Sequence, residues 1–207
     1  MECLMGIAFN DFVLLAADRT CSAHGILVVK PDDDKTFKLA DNLVMAVSGE
    51  PGDTVQFAEY IAKNIQLYKM RNGYELSPSE AAHYTRRTLA EYLRSRSPYQ
   101  CNLLLAGHTA DAGPELYFMD YLGSCSRLPY AAHGYGGLFS LSVMDRYYKA
   151  DATLEEALDI MQKCVAEIQT RLIVNLPNFQ VLVVNKDGVK HLDDITVHSL
   201  KQRPVMG

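Results

Sequence analysis

The chain has no Cys-x-x-Cys pair. Its five cysteines, Cys3, Cys21, Cys101, Cys125 and Cys164, are scattered and odd in number. This argues against a zinc ribbon or a thioredoxin-like redox motif, and reduced thiols in a cytosolic or nuclear protein are expected. No apolar run approaches the ~18 residues of a membrane span, and no basic-then-apolar leader opens the chain, so no membrane association is expected. Positive charge is in deficit: 20 Lys and Arg against 25 Asp and Glu give a net charge of -5. A general nucleic-acid binder would carry the opposite balance. The histidines His24, His83, His108, His133, His191 and His198 show neither H-x-x-x-H nor HExxH spacing, and no metal is expected. The glycine cluster Gly134-Tyr135-Gly136-Gly137 lacks the G-x-x-x-x-G-K-[ST] pattern of a phosphate loop, and tight backbone packing before a helix is expected there instead. There is no linker, internal repeat or low-complexity stretch. With 207 residues, one domain over 1–207 with a substantial core is the expectation. Its C-terminal tail, 198–207, is expected to be mobile or bound to a partner.

What the chain does have is grouped. Two apolar runs, Cys3–Phe9 and Phe12–Ala17, flank Asn10-Asp11 and end in Asp18-Arg19, which predicts a hairpin at the start of the chain. A strand placed there can carry a terminal amine into the fold, and in some enzymes that amine is the catalytic base. Further short runs follow at Ile26–Lys30, Lys35–Leu39 and Leu43–Val47, with turn residues between them. Glu50-Pro51 then starts a helix that Asn72-Gly73 stops, with Val55, Ala58, Ala62 and Ile65 on its inward face. Ser77-Pro78-Ser79-Glu80 is a capping box that opens a second helix, carrying Ala82, Thr85, Leu89 and Tyr92 inward. Arg86, Arg87, Arg94 and Arg96 lie off that face, as a solvated surface or an interface. Strands return at Asn102–Gly107, Glu115–Leu122 and about Ser126–Ala131. Two helices follow, about Leu138–Lys149 and from Thr153 with Glu156 three residues on, the latter repeating Leu154, Leu158, Met161, Val165, Ile168 and Leu172. Phe179–Val184 and Val189–Leu192 make a last hairpin. Strands grouped this way, without β-α-β alternation, predict an α+β domain: two antiparallel sheets packed face to face, each covered outside by helices.

These residues together resemble the proteasome beta subunits. Val13-Leu14-Leu15-Ala16-Ala17-Asp18-Arg19 is similar to the strand-ending signature of that family. Lys35, Ser48-Gly49-Glu50, the Gly134–Gly137 cluster and Asp187-Gly188 fall at matching intervals. The runs Gly52–Ile61, Tyr68–Pro78, Asn102–Gly107 and Asn175-Leu176-Pro177 look like one branch of the family, which the resemblance puts at the fourth position of a seven-membered beta ring. The likeness covers essentially the whole chain. It implies the N-terminal-nucleophile hydrolase fold, a four-layer α-β-β-α sandwich, in agreement with the pattern. It also implies a place in two stacked beta rings between two alpha rings, the core of the ATP- and ubiquitin-dependent protein degradation machine. The implied partners are beta subunits of the same and the opposite ring, alpha-ring subunits and assembly chaperones, with no cofactor, no nucleic acid and no membrane.

Active members of the family cut peptide bonds with an N-terminal threonine whose own amine takes the proton. A lysine held by an aspartate assists, and a glycine N–H supplies the oxyanion hole. Aligned on Asp18, this chain has Glu2 at the nucleophile position. A carboxylate cannot play the hydroxyl's part. No Gly-Thr pair occurs for self-cleavage, and with Met1 first no pro-segment is expected. Asp18, Lys35 and Gly49 match family positions, whereas Tyr135 stands where active subunits carry a serine, and about Leu172 an apolar residue replaces an aspartate. Catalytic groups act as a unit, so losing several removes the rate. The resemblance therefore implies no catalytic residue but a vestigial site of Glu2, Asp18, Lys35, Gly49 and Tyr135, with Asp18 and Lys35 kept as a satisfied pair. Met70, Arg71, Asn72 and Tyr74 are the candidate interface, being rich in residue types that favour such surfaces. Two alternatives stay open at this point: an active hydrolase using Cys3, and a free-standing binding module.

Overall fold

Alternation in the first two strands serves two cores at once. In β1 (Cys3–Ala8) and β2 (Phe12–Asp18), Cys3, Met5, Ile7, Leu14 and Ala16 face one side, while Leu4, Val13, Leu15 and Ala17 face the other. Side chains alternate along a strand, so a pair apolar on both faces is covered on both. The computed structural model of the chain describes residues 2–23 and 27–201. In it β1 and β2 lie inside a five-stranded antiparallel sheet. The order is β10 (Tyr130–Gly134), β1, β2, β11 (Asn178–Asn185), β12 (Gly188–Thr196). A second antiparallel sheet of five runs β5 (Thr36–Ala40), β6 (Leu43–Gly49), β7 (Cys101–Thr109), β8 (Gly113–Met119), β9 (Cys125–Arg127). The short pair β3 (Cys21–Ala23) and β4 (Leu27–Lys30) stands apart. Ile26, expected to begin β4, lies outside the described residues.

Leu4, Val13 and Leu15 of the first sheet meet Val44, Leu104 and Leu116 of the second between the two sheets. Helices α1 (Pro51–Asn72) and α2 (Pro78–Leu93) pack outside the second sheet, and α3 (Tyr135–Tyr147) and α4 (Leu154–Arg171) outside the first. This is the α-β-β-α sandwich. Both expected capping boxes form: Ser77 with Glu80 and Thr153 with Glu156, each side chain accepting from the other residue's backbone N–H.

Four expectations need correction. The inward face of α1 is Thr54, Phe57, Ala58, Ile61 and Ile65, while Val55 is 49% exposed. Val55 sits one residue, about 100° of helical turn, past Thr54 and so leaves the stripe. The run Ser126–Ala131 is not one strand. It divides into β9 and β10, in different sheets, at Leu128-Pro129, where proline has no N–H for a ladder. Helix α3 begins at Tyr135, not Leu138, so Gly136 and Gly137 lie inside its first turn. The tail is ordered at its start: α5 (Val197–Lys201) places Leu200 against the helix-side core, and residues 202–207 lie outside the described residues.

Phe57 is fully buried, its ring centroid 5.1 Å from that of Tyr99. Phe57→Ala is expected to cost about 3–5 kcal/mol in denaturant unfolding. Val55→Ala, on the exposed side of the same helix, should stay within about 0.5 kcal/mol.

Candidate functional site

The last residue of β2 is the centre of the site. Asp18 is fully buried and spends both oxygens: Oδ1 accepts the Cys3 N–H at 2.7 Å, and Oδ2 accepts the Thr20 N–H at 3.2 Å and the Lys35 ammonium at 2.7 Å. Lys35 precedes β5 and is 4% exposed. Its Nζ also donates to the Thr20 carbonyl at 2.9 Å, and its own carbonyl accepts from the Val47 N–H at 2.9 Å. A buried ammonium and carboxylate cost several kcal/mol each to desolvate unless paired and hydrogen-bonded. Here both conditions hold, and the pair ties β1, β2 and the entry to β5 together.

Glu2 completes the cluster. Its Oε2 accepts the Gly49 N–H at 2.7 Å, and its Oε1 lies 3.7 Å from Lys35 Nζ, an ion pair too long for a hydrogen bond. The Gly49 donor is available because the backbone there has φ 142° and passes so close to β7 that a Cβ would lie 2.1 Å from the Gln100 carbonyl oxygen. A second glycine closes the other side. Gly134 pairs with Cys3 in the β1–β10 register, has φ 82°, and would bring a Cβ to 1.7 Å from the Glu2 carbonyl oxygen. Glu2, Asp18, Lys35 and Gly49 thus form one connected group. Tyr135 does not join it: at the start of α3 it is 59% exposed and enters none of these bonds. Leu172 caps α4, its N–H donating to Ile168 O at 2.8 Å, and packs against the helix-side core.

Burial raises the Glu2 carboxyl above the usual glutamate range, opposed by the Lys35 ammonium and the Gly49 N–H. A carboxyl whose folded pKa is raised contributes stability below its unfolded pKa and loses it as pH rises through the folded one. Glu2→Gln keeps an oxygen for Gly49 and removes the titration. Its stability at pH 7–8 should therefore equal or exceed that of the parent, and the parent's decline as pH rises above the normal glutamate range should disappear. Denaturant midpoints measured from pH 4 to pH 8 test this, and a variant markedly weaker at pH 8 would contradict it.

Cys3 is fully buried, and its thiol is pushed well above the usual cysteine range, chiefly by burial and then by the Asp18 charge. Its Sγ packs on α3, where a Cβ on Gly136 would lie 2.4 Å away. A thiol held neutral in such surroundings is a poor nucleophile. His133 is likewise a core residue, its ring stacked on Phe118 at 4.2 Å and Nε2 3.1 Å from the Leu103 carbonyl oxygen. Among the described residues no three His, Cys, Asp or Glu side chains gather as metal ligands.

On the opposite helix layer, Met70 is 76% and Tyr74 55% exposed, and Arg71 and Asn72 are exposed between them. Tyr68 and Tyr74 join their hydroxyls at 2.6 Å, which fixes the turn after α1. Beside them a groove of about 630 Å³ runs between α1 and β5, floored by Leu39, Ala40, Ala62 and Ile65. Sequence reasoning missed three members of the site: the Cys3 N–H, the Thr20 carbonyl, and Gly134 as the position that lets β10 close over Glu2. Only the glycine cluster gave a signal, as a place of close backbone packing.

Residues 2–184 match the family model described as proteasome subunit. The chain is 46% identical over 190 residues to proteasome subunit beta type-2-B of Arabidopsis thaliana, covering 92% of this chain and 94% of the relative. It is 47% identical over 194 residues to a probable proteasome subunit beta type-4 of Schizosaccharomyces pombe, covering 93% and 100%. Proteasome subunit beta type-4 of Saccharomyces cerevisiae is 45% identical over 195 residues, covering 94% and 98%.

Proposed function

Because the chain belongs to the proteasome beta-subunit family, we propose that it is a non-catalytic, structural beta subunit of the 20S core particle, similar to the type-2 and type-4 subunits. It completes the beta ring of a threonine protease complex without contributing an active site. One observation carries this reading: the Gly49 N–H, which would have to meet a peptide carbonyl oxygen, is already held at 2.7 Å by the carboxylate of Glu2. Oxyanion stabilisation needs a donor aimed at where negative charge develops. Here that donor is spent on a resident carboxylate, and a second negative charge would be repelled. Glu2 itself offers no hydroxyl or thiol to attack with. The thiols nearby, Cys3, Cys101 (paired with Gly49 between β6 and β7) and Cys164, are all buried, and burial pushes each of them up.

The retained Asp18–Lys35 pair then has a structural task, anchoring the first strand that the resemblance associates with catalysis. The chain's contribution moves to its outer faces. These meet beta subunits in the same ring and the opposite ring, alpha-ring subunits above, and assembly chaperones on the way, in the cytoplasm and nucleus. Met70, Arg71, Asn72 and Tyr74 form one of these contact regions, supported by the exposure of Met70 and Tyr74.

The N-terminus of the chain in the purified particle tests the proposal. Mass spectrometry should find Glu2 retained, and Cys3→Ala should leave every peptide-hydrolysing activity of the particle unchanged. A mature chain that begins at Cys3, with a hydrolytic activity lost in Cys3→Ala, would overturn it. Purification of the chain only as a stable monomer would overturn the placement in a ring.

A further inference from the structure

Two Ser-Pro dipeptides occur in the sequence, Ser77-Pro78 and Ser97-Pro98, and the structure treats them in opposite ways. Ser77 is the N-cap of α2. Its hydroxyl donates to Glu80 Oε2 at 2.7 Å and accepts the Glu80 N–H at 3.3 Å, and Pro78 is buried in the first turn. Ser97 lies in the connection between α2 and β7, where Arg94, Ser95, Arg96 and Ser97 are all exposed. Its backbone N–H donates to Ser95 Oγ at 3.2 Å, while its own hydroxyl takes part in no hydrogen bond among the described residues.

The loop is anchored on both sides of that free hydroxyl. The Ser95 N–H donates to the Tyr92 carbonyl at 2.9 Å, and the Tyr99 ring lies 4.8 Å from that of Tyr92 and 5.1 Å from that of Phe57. Ser97 is therefore presented at the crest of a short, tethered loop, with Arg94 three residues before it, Arg96 immediately before it and Pro98 immediately after. We propose that Ser97 is a phosphorylation site for a proline-directed serine kinase that tolerates or prefers arginine on the N-terminal side.

The reaction transfers the γ-phosphoryl group of a nucleoside triphosphate. The Ser97 Oγ–P bond forms, the bond from Pγ to the β-bridging oxygen breaks, the nucleoside diphosphate leaves, and the hydroxyl proton passes to the kinase base. The product carries a charge of about -1.5 to -2, which offsets the two guanidinium charges of Arg94 and Arg96. Both arginines lie exposed on the same loop, and guanidinium–phosphate pairs are among the stronger charge-assisted hydrogen bonds. The loop reaches the Glu2–Gly49 cluster at Gln100, but Ser97 itself takes part in none of its hydrogen bonds, and the inference stands whether or not that cluster is inert.

The test uses the assembled particle purified from the cell, incubated with a proline-directed serine kinase and ATP and mapped by phosphopeptide mass spectrometry. Phosphate is expected on Ser97 and not on Ser77. Ser97→Ala and Pro98→Ala should each lose that labelling while the particle assembles normally. No phosphate on this chain, phosphate on Ser77, or Ser97 labelling undiminished in Pro98→Ala would overturn the proposal.

Discussion

Asp18→Ala should destabilise the chain by about 3–5 kcal/mol, the range expected when one partner of a buried ion pair is removed. The loss is larger than a contact count would suggest, because Asp18 serves three donors. Without it the Lys35 ammonium, 4% exposed, keeps only the Thr20 carbonyl and the distant Glu2 carboxylate at 3.7 Å. The Cys3 and Thr20 N–H groups lose their acceptor as well. Lys35→Met alone should also be costly, since it strands the Asp18 charge. Asp18→Asn combined with Lys35→Met removes both charges and keeps an amide oxygen for the Cys3 N–H. This double variant should recover most of the loss, because replacing a whole buried pair by neutral groups is often close to neutral. Denaturant unfolding of the parent, Asp18→Asn, Lys35→Met and the double variant gives the coupling directly, and the yield of assembled particle gives the same ranking in cells. Additive losses in the double variant would contradict a pair whose worth lies in mutual satisfaction.

The second large effect comes from a residue with no side chain. Gly134→Ala would set a Cβ 1.7 Å from the Glu2 carbonyl oxygen and 2.7 Å from its carbon, at φ 82°. Both obstacles are backbone, so no rotamer change relieves them. Either β10 separates from β1 at the Cys3–Gly134 pair or Glu2 withdraws and releases the Gly49 N–H. The left-handed φ alone costs about 1–3 kcal/mol for a non-glycine residue, and forced overlap commonly adds about as much again. Gly134→Ala should therefore lose at least about 3 kcal/mol in denaturant or thermal unfolding. Gly52→Ala, in the first turn of α1 with nothing within 4 Å of the new carbon, should be neutral or gain up to about 1 kcal/mol. Equal stability of the two variants would contradict the close approach of β10 to Glu2.

Where the governing interactions are local, the sequence already tells the story. The boxes at Ser77/Glu80 and Thr153/Glu156 close within one turn of helix, so four residues contain both partners. The hairpin of β1 and β2 and the last hairpin around Asp187-Gly188 follow from alternating runs and turn residues alone. Val55 shows where this ends. It fits an apolar stripe as well as Phe57 does, and only the position of the sheet beneath α1 decides that Phe57 goes in and Val55 stays out. The division at Pro129 has the same origin, since a continuous β-like run cannot reveal that its halves pair with different sheets.

By itself the sequence determined the α+β class, the pairing of helices with sheets, the absence of a threonine at the position aligned with Glu2, and the candidates Asp18, Lys35 and Gly49. The first two rest on residue type, period and spacing, which a linear chain carries; the last two rest on the resemblance to the proteasome beta subunits. Tertiary structure decided what those residues do to one another. Glu2 and Gly49 are 47 positions apart, and nothing local tells a glutamate near the N-terminus that a glycine bent to φ 142° against β7 will present it a free N–H. It also turned Tyr135 outward by beginning α3 early. A hydrogen bond depends on distance and direction in space, and only the packing of two sheets face to face brings the Gly49 N–H and the Glu2 carboxylate to 2.7 Å.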